Sequence, residues 1–242
     1  MDSFYDVVRE AVRLLIGLDP ALLEIVLRSL RVSGLALLVG VVVGLPVGVG
    51  VGLARFPGRR VVVALIHTGF ALPPVVVGLF AYLLLSRSGP MGELELIFTQ
   101  FGMVAAQAVI AAPYIAGISL AAVQAVPHDV RLQARALGVS RPAAVRAHLR
   151  EARLGLAAAV VAGFGVVISE LGAVLLVGGD VVGETRVMTT AIVAETREGD
   201  LAAALALAIV LLALALVVNV LLTRAQQGGG RAWGAEAEPT WR

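Results

Sequence analysis

The residues best placed to do chemistry are Ser169 and Glu170, because a hydroxyl and a carboxyl group lie side by side within a long apolar stretch. A charged carboxylate deep in a lipid bilayer is costly, so such a residue marks a functional position by default. Two roles are open for this pair. The side chains form a structural or gating hydrogen bond, or they line a path for a polar cargo.

The rest of the sequence offers no recognisable catalytic centre. It has no Cys and only three His, which excludes thiolate chemistry and Cys-ligated metals. It lacks the GxSxG and HExxH patterns of hydrolases and the GxxxxGK[ST] loop that cradles nucleotide phosphates. We therefore expect no enzyme activity, no metal site and no cofactor in this chain.

The composition places these residues in a membrane. Of 242 residues, 59% are hydrophobic and 15% are charged, against about 25% charged in soluble domains. This excludes an ordinary soluble enzyme, a disordered chain and a nucleic-acid-binding module. A helix needs about 20 apolar residues to cross a bilayer. Five stretches satisfy this length: 32–54, 61–85, 103–126, 154–179 and 201–223. We predict an all-α membrane protein with about five transmembrane helices.

The arginines predict the orientation. Twelve of them fall in loops 55–60 and 127–153 and in the tail from residue 224, whereas seven fall in the remaining segments. Loops rich in Arg and Lys stay in the cytoplasm. The N-terminus is therefore predicted outside and the C-terminus inside.

Segments 1–19 and 224–242 flank the predicted membrane domain, residues 20–223. The first is predicted as an amphipathic helix that lies in the membrane interface or packs on the bundle. Asp19 and Pro20 then have the types of an N-cap and a first helical residue. The second is Gly-rich and polar, which is typical of a flexible tail.

Two internal features interrupt the helical pattern. Pro73 and Pro74 remove two backbone donors from the second stretch, which indicates a packing kink or a helix beside a translocation path. Loop 127–153 carries six Arg and reads as two short helices joined at Gly138, with Ser140 starting the second. It is either a protruding docking element or a basic solvated loop.

At this loop the sequence resembles the permease subunits of ABC-type importers, whose hallmark is a cytoplasmic EAA-like loop containing a Gly. Ala134, Arg135, Leu137 and Gly138 match that hallmark, while Leu132 and Gln133 replace its usual Glu and first Ala. Residues 56–58, 72–78 and 183–186 resemble molybdate and tungstate permeases. Residues 168–174 and 185–193 resemble the tungstate-type branch specifically.

The resemblance implies an ATP-driven importer of tungstate in a prokaryotic cytoplasmic membrane. The permease would form a homodimer, bind two cytoplasmic ATPase subunits that hold ATP and Mg²⁺, and receive the anion from an extracytoplasmic binding protein. The coupling loop would comprise Ala134, Arg135, Leu137, Gly138 and Ser140. Candidate docking residues for the binding protein are Glu184, Arg186, Glu195 and Arg197. Candidate path or gate residues are Pro73, Pro74, Ser169 and Glu170.

Three alternatives are open. Within the same class, the cargo is molybdate, sulfate or another oxyanion. A self-sufficient secondary transporter is a different class, which predicts inverted repeats and charged coupling residues in several spans. An intramembrane enzyme would need a cluster of His and acidic residues, which the sequence does not offer.

Overall fold

The computed structural model describes residues 4–127, 129 and 138–230, with side chains up to residue 224. The described residues form helices and connecting turns, without a β-strand. The helices are α1 (Phe4–Ile16), α2 (Pro20–Leu53), α3 (Arg59–Ala71), α4 (Pro74–Leu85), α5 (Gln100–Gln124), α6 (Arg141–Ile168), α7 (Gly172–Gly178), α8 (Met188–Glu198) and α9 (Leu201–Gly230).

Four helices of the described chain, α2, α5, α6 and α9, are each long and apolar enough to cross a membrane. Helices α3 and α4 pass the same test together but meet at an angle of 97°, so they form either a broken fifth span or a re-entrant loop. The predicted all-α membrane fold is therefore confirmed, whereas the orientation stays a prediction. The stretch 154–179 differs from the expectation of one continuous helix, because α6 ends at Ile168 and α7 starts at Gly172.

The N-terminal helices are positioned by a cap and a packed face. Asp19 Oδ1 accepts hydrogen bonds from the amides of Ala21 (2.9 Å) and Leu22 (3.2 Å), which starts α2 at Pro20 as the sequence predicted. Helix α1 packs against α9 and buries Ala11 completely, while Tyr5 and Ile16 remain exposed. Helix α1 therefore combines a face packed on the bundle with an exposed apolar face.

Helix α5 is the centre of the bundle. Its most apolar stretch is 61% buried, against 28% for α2 and α6 and 17% for α9. Gly44 and Gly48 are four residues apart and therefore lie on one face of α2. Because they have no side chain, this face of α2 lies directly against α5. A Cβ atom on Gly44 would lie 2.4 Å from the Ala112 carbonyl oxygen, and one on Gly48 would lie 2.2 Å from the Ala116 carbonyl oxygen. Backbone thus meets backbone along this interface, as is typical of membrane helices.

The α2–α5 contact predicts opposite effects for two glycines of the same helix. Gly48→Ala would push a methyl group into the α5 backbone and should lower the free energy of unfolding by about 1–3 kcal/mol. Gly50 has no atom within 4 Å of an added Cβ, so Gly50→Ala should be neutral or stabilise by about 0.5–1 kcal/mol. Thermal unfolding of both variants in one detergent checks this. Equal midpoints would contradict the packing argument.

Candidate functional site

The two interrupted spans meet at their breaks. Leu72 and Pro73 have extended backbone between α3 and α4. Val75 at the start of α4 contacts the start of α7, where a Cβ on Gly172 would lie 2.5 Å from Val75 Cγ2. One turn further on, a Cβ on Gly78 would lie 2.5 Å from Ala173 Cα. The segments that carry Pro73–Pro74 and Ser169–Glu170 are therefore brought together, although they lie about 100 residues apart in sequence.

Glu170 lies inside the protein and holds the start of α7. The residue is 7% exposed. Its Oε1 accepts a hydrogen bond of 2.9 Å from the amide of Ala173, and its backbone carbonyl accepts one of 2.8 Å from Thr189 Oγ1. The side chain thus replaces the backbone acceptor that the break removes from the first turn of α7.

The broken end of α6 is satisfied by side chains from two other spans. The Val167 carbonyl accepts hydrogen bonds from Gln107 Nε2 (2.8 Å) and Ser33 Oγ (3.4 Å). Ser169 is exposed, and its hydroxyl donates back to the Gly165 carbonyl at 2.7 Å. A helix can break within a membrane only where protein or water satisfies its free groups. Here Gln107 and Ser33 meet that requirement from α5 and α2.

A buried arginine, which sequence reasoning passed over, connects α2 to the segment before α8. Arg28 is 8% exposed. Its Nη1 donates to the Arg186 carbonyl at 3.0 Å and its Nη2 to the Gly183 carbonyl at 2.7 Å. Arg28 also pairs with Glu24. The available signal was an Arg four residues after a Glu, just ahead of the apolar run of α2.

The four candidate docking residues divide into two pairs. Arg186 is largely buried, with ion pairs of 3.2 Å to Asp180 and 3.1 Å to Glu195. Glu184 and Arg197 are exposed. The Glu184 carbonyl accepts a hydrogen bond of 2.9 Å from Gln100 Nε2, which ties the loop to α5. The Arg186–Glu195 ion pair therefore stabilises this region from a largely buried position. Glu184 and Arg197 are exposed and can contact a partner protein.

Burial raises the pKa of the Glu195 carboxyl above its ordinary value. The positive charge of Arg186 opposes this shift, while Glu198, Asp200 and Asp180 add to it. Protonation of Glu195 would remove its charge from the ion pair with Arg186. The raised pKa of Glu195 therefore concerns the ion pair between this loop and α8.

The predicted coupling loop is described only in part. Ala134, Arg135 and Leu137 lie outside the described residues. Gly138 has a φ of +64°, a left-handed conformation that favours glycine. Ser140 has the backbone of an N-cap, and α6 begins after it at Arg141. Further along α6, His148 is buried and lies 2.9 Å from the Val123 carbonyl of α5.

The cap at α7 predicts different results for two substitutions of Glu170. Glu170→Gln keeps a side-chain oxygen that can accept from Ala173, so the unfolding midpoint should stay near that of the original chain. Glu170→Ala removes the acceptor and should cost about 0.5–2 kcal/mol. Thermal unfolding of both purified variants distinguishes them. A Gln variant as unstable as the Ala variant would show that the negative charge, not the cap, is needed.

The raised pKa of Glu195 predicts a pH dependence with a definite sign. Folding favours the neutral carboxyl, so its stabilising contribution is fully present below the unfolded pKa of about 4.3 and is lost as pH rises through the folded value. The unfolding midpoint of the original chain should therefore fall relative to that of Glu195→Gln as pH rises above the unfolded pKa. A midpoint of the original chain that stays level with that of Glu195→Gln, or rises relative to it, would argue against the shift.

The fold and sequence match known transport proteins. Residues 44–228 match the family described as binding-protein-dependent transport system inner membrane component. The chain is 44% identical to a probable anion ABC transporter permease protein of Haloferax volcanii, over 84% of this chain and 90% of the relative. It is 32% identical to the tungstate uptake system permease protein TupB of Peptoclostridium acidaminophilum, over 90% of this chain and 96% of the relative.

A solved structure has the same fold. A chain of the MetNI methionine ABC transporter in an inward-facing conformation superposes with a TM-score of 0.72 at 21% identity. The match covers 88% of this chain and 97% of the other. The chain thus belongs to the family of binding-protein-dependent transport system inner membrane components, the multi-pass permease subunits of ABC importers.

Proposed function

We propose that this chain forms the membrane path of an ATP-driven importer of tungstate. The observation that carries the proposal is the similarity to the tungstate permease TupB, which extends over 90% of this chain and 96% of the relative. The similarity to an anion permease supports the same class of cargo. ATP hydrolysis belongs to a separate subunit, because the sequence contains no nucleotide phosphate loop.

The path lies between two copies of the chain, beside the two helix breaks. A second copy of the chain supplies the other wall, because the likeness to ABC importer permeases implies a homodimer. The contact of α4 with α7 supports a gate made of two interrupted helices. In this proposal Pro73, Pro74 and Ser169 line the gate, and Glu170 holds the start of α7 through its hydrogen bond with Ala173.

The binding protein docks on the outer loop before α8. This loop is held by hydrogen bonds from Arg28 of α2 and Gln100 of α5 and by the ion pair of Arg186 with Asp180. Val182 in the loop is 70% exposed, and Glu184 is exposed as well. A loop fixed in advance loses little conformational entropy when a partner binds. Glu184 and Arg197 are the charged contacts we assign to that partner.

Transport assays test the proposal directly. The reconstituted complex of permease, ATPase and binding protein should take up tungstate and show ATPase activity that tungstate-loaded binding protein stimulates. Molybdate and sulfate, tested at the same concentrations, should be poorer cargoes. Efficient sulfate uptake without tungstate uptake would refute the cargo assignment. Uptake by the permease alone would favour a secondary transporter.

Exchange of the binding protein separates two sources of selectivity. With a sulfate-binding protein that docks on the same loop, the complex should switch its preference towards sulfate. The reason is that we assign the recognition of the anion to the binding protein and not to residues of the path. The ratio of tungstate to sulfate uptake is the readout. An unchanged ratio would place the selectivity in the permease.

Gly138 provides the test of coupling. Gly138→Val would strain a left-handed residue and should displace the loop, so ATP hydrolysis continues while uptake falls at least about tenfold. Gly199→Val is the matched control, because Gly199 also has a positive φ (+89°) and open space around its Cα, but lies outside the loop, between α8 and α9. Uptake per ATP hydrolysed, at equal membrane levels, is the measurement. Equal coupling in both variants would contradict the assignment.

A further inference from the structure

A concave basic region lies where α2 ends, α3 begins and α5 ends. It is a cavity of about 940 Å³. Three arginines, Arg55, Arg59 and Arg60, line it together with Gln124. The remaining lining residues are small or apolar, and no acidic residue is among them. The cavity therefore gathers three positive charges from seven consecutive residues, 54–60, that contain no acid.

The arginines of this cavity are not neutralised within the described part of the chain. The ion pairs formed by the described residues involve Arg13, Arg28 and Arg186, and none involves Arg55, Arg59 or Arg60. Like charges held at one site repel each other unless a counter-charge lies between them. The cavity is thus an electrostatic site that an anion would complete.

One guanidinium is already fixed in position. Arg59 Nε donates a hydrogen bond of 2.9 Å to the Val51 carbonyl at the end of α2. This bond uses one N–H of the five that a guanidinium carries and leaves the two Nη groups to donate elsewhere. A guanidinium held in this way presents paired donors with the spacing of two oxygens on one oxyanion.

The concave arrangement distinguishes these arginines from other basic residues on α6. Arg146 and Arg150 are exposed and do not line this cavity. Arginines scattered on a convex surface satisfy the charge bias of membrane loops without forming a site. Three arginines line one concave surface beside an amide side chain, so their donors face a shared space.

We propose that this cavity binds a tetrahedral oxyanion at the end of the permease predicted to face the cytoplasm. Two sources carry that chemistry: the phosphate of an anionic lipid headgroup, and a free oxyanion such as tungstate. Both would accept hydrogen bonds from Arg55, Arg59 and Arg60. The proposal does not depend on which cargo the permease carries, because a lipid phosphate would satisfy it.

Binding to the full-length chain in nanodiscs tests the proposal. Two probes are used: sodium tungstate, titrated against protein in phosphatidylcholine nanodiscs, and phosphatidylglycerol, whose retention after reconstitution from a mixed phosphatidylcholine–phosphatidylglycerol vesicle is measured by native mass spectrometry. The variant is Arg55→Gln with Arg60→Gln, which keeps the Arg59 bond to Val51. The control is Arg146→Gln with Arg150→Gln, which removes the same charge from α6.

The expected result is at least about tenfold weaker binding of one probe or both in the cavity variant, because two charge-assisted donor groups are lost. The control should change binding less than about twofold, because Arg146 and Arg150 do not line the cavity. Loss confined to tungstate identifies a free oxyanion, and loss confined to phosphatidylglycerol identifies a lipid headgroup. Equal losses in both double variants, or no binding of either probe by the original chain, would overturn the proposal.

Discussion

The direct contact between the backbones of α2 and α5 is the constraint on which the rest of the structure depends. Gly44 and Gly48 let α2 approach the carbonyls of α5 more closely than any side chain allows. In lipid, where apolar residues gain little from leaving their surroundings, such close packing supplies much of the attraction between helices. Because α5 also touches α3, α4, α6 and α7, the other spans take their positions from this pair.

The interrupted helices depend on that core for their polar groups. Gln107 projects from α5 and Ser33 from α2, and both bind the Val167 carbonyl at the end of α6. A change in the spacing of α2 and α5 would therefore also disturb the break that precedes α7. The packing of small residues and the hydrogen bonds at the break are parts of one arrangement, which explains how an irregular segment persists in an apolar bundle.

The sequence predicted the features that local physics determines. Hydropathy predicted the four spanning helices and the apolar stretch of the bent pair α3–α4, and Asp19 with Pro20 predicted the start of α2. It did not predict the end of α6 at Ile168, because the apolar run continues through the break. It also presented Arg186 and Glu195 as surface charges, although they form a largely buried ion pair. The end of α6 depends on hydrogen bonds from Gln107 and Ser33, and the burial of Arg186 and Glu195 depends on how the loop packs. Neither composition nor periodicity contains that information.

The link from Arg28 to the segment before α8 has a consequence for biosynthesis. Arg28 lies 155 residues before Gly183, its carbonyl partner. Chains emerge from the ribosome N-terminus first, so α2 enters the bilayer long before that carbonyl exists. Through most of translation Arg28 has Glu24, one helical turn away, as its available partner. The local Glu–Arg pair thus balances the Arg28 charge until the carbonyls of Gly183 and Arg186 have been synthesised.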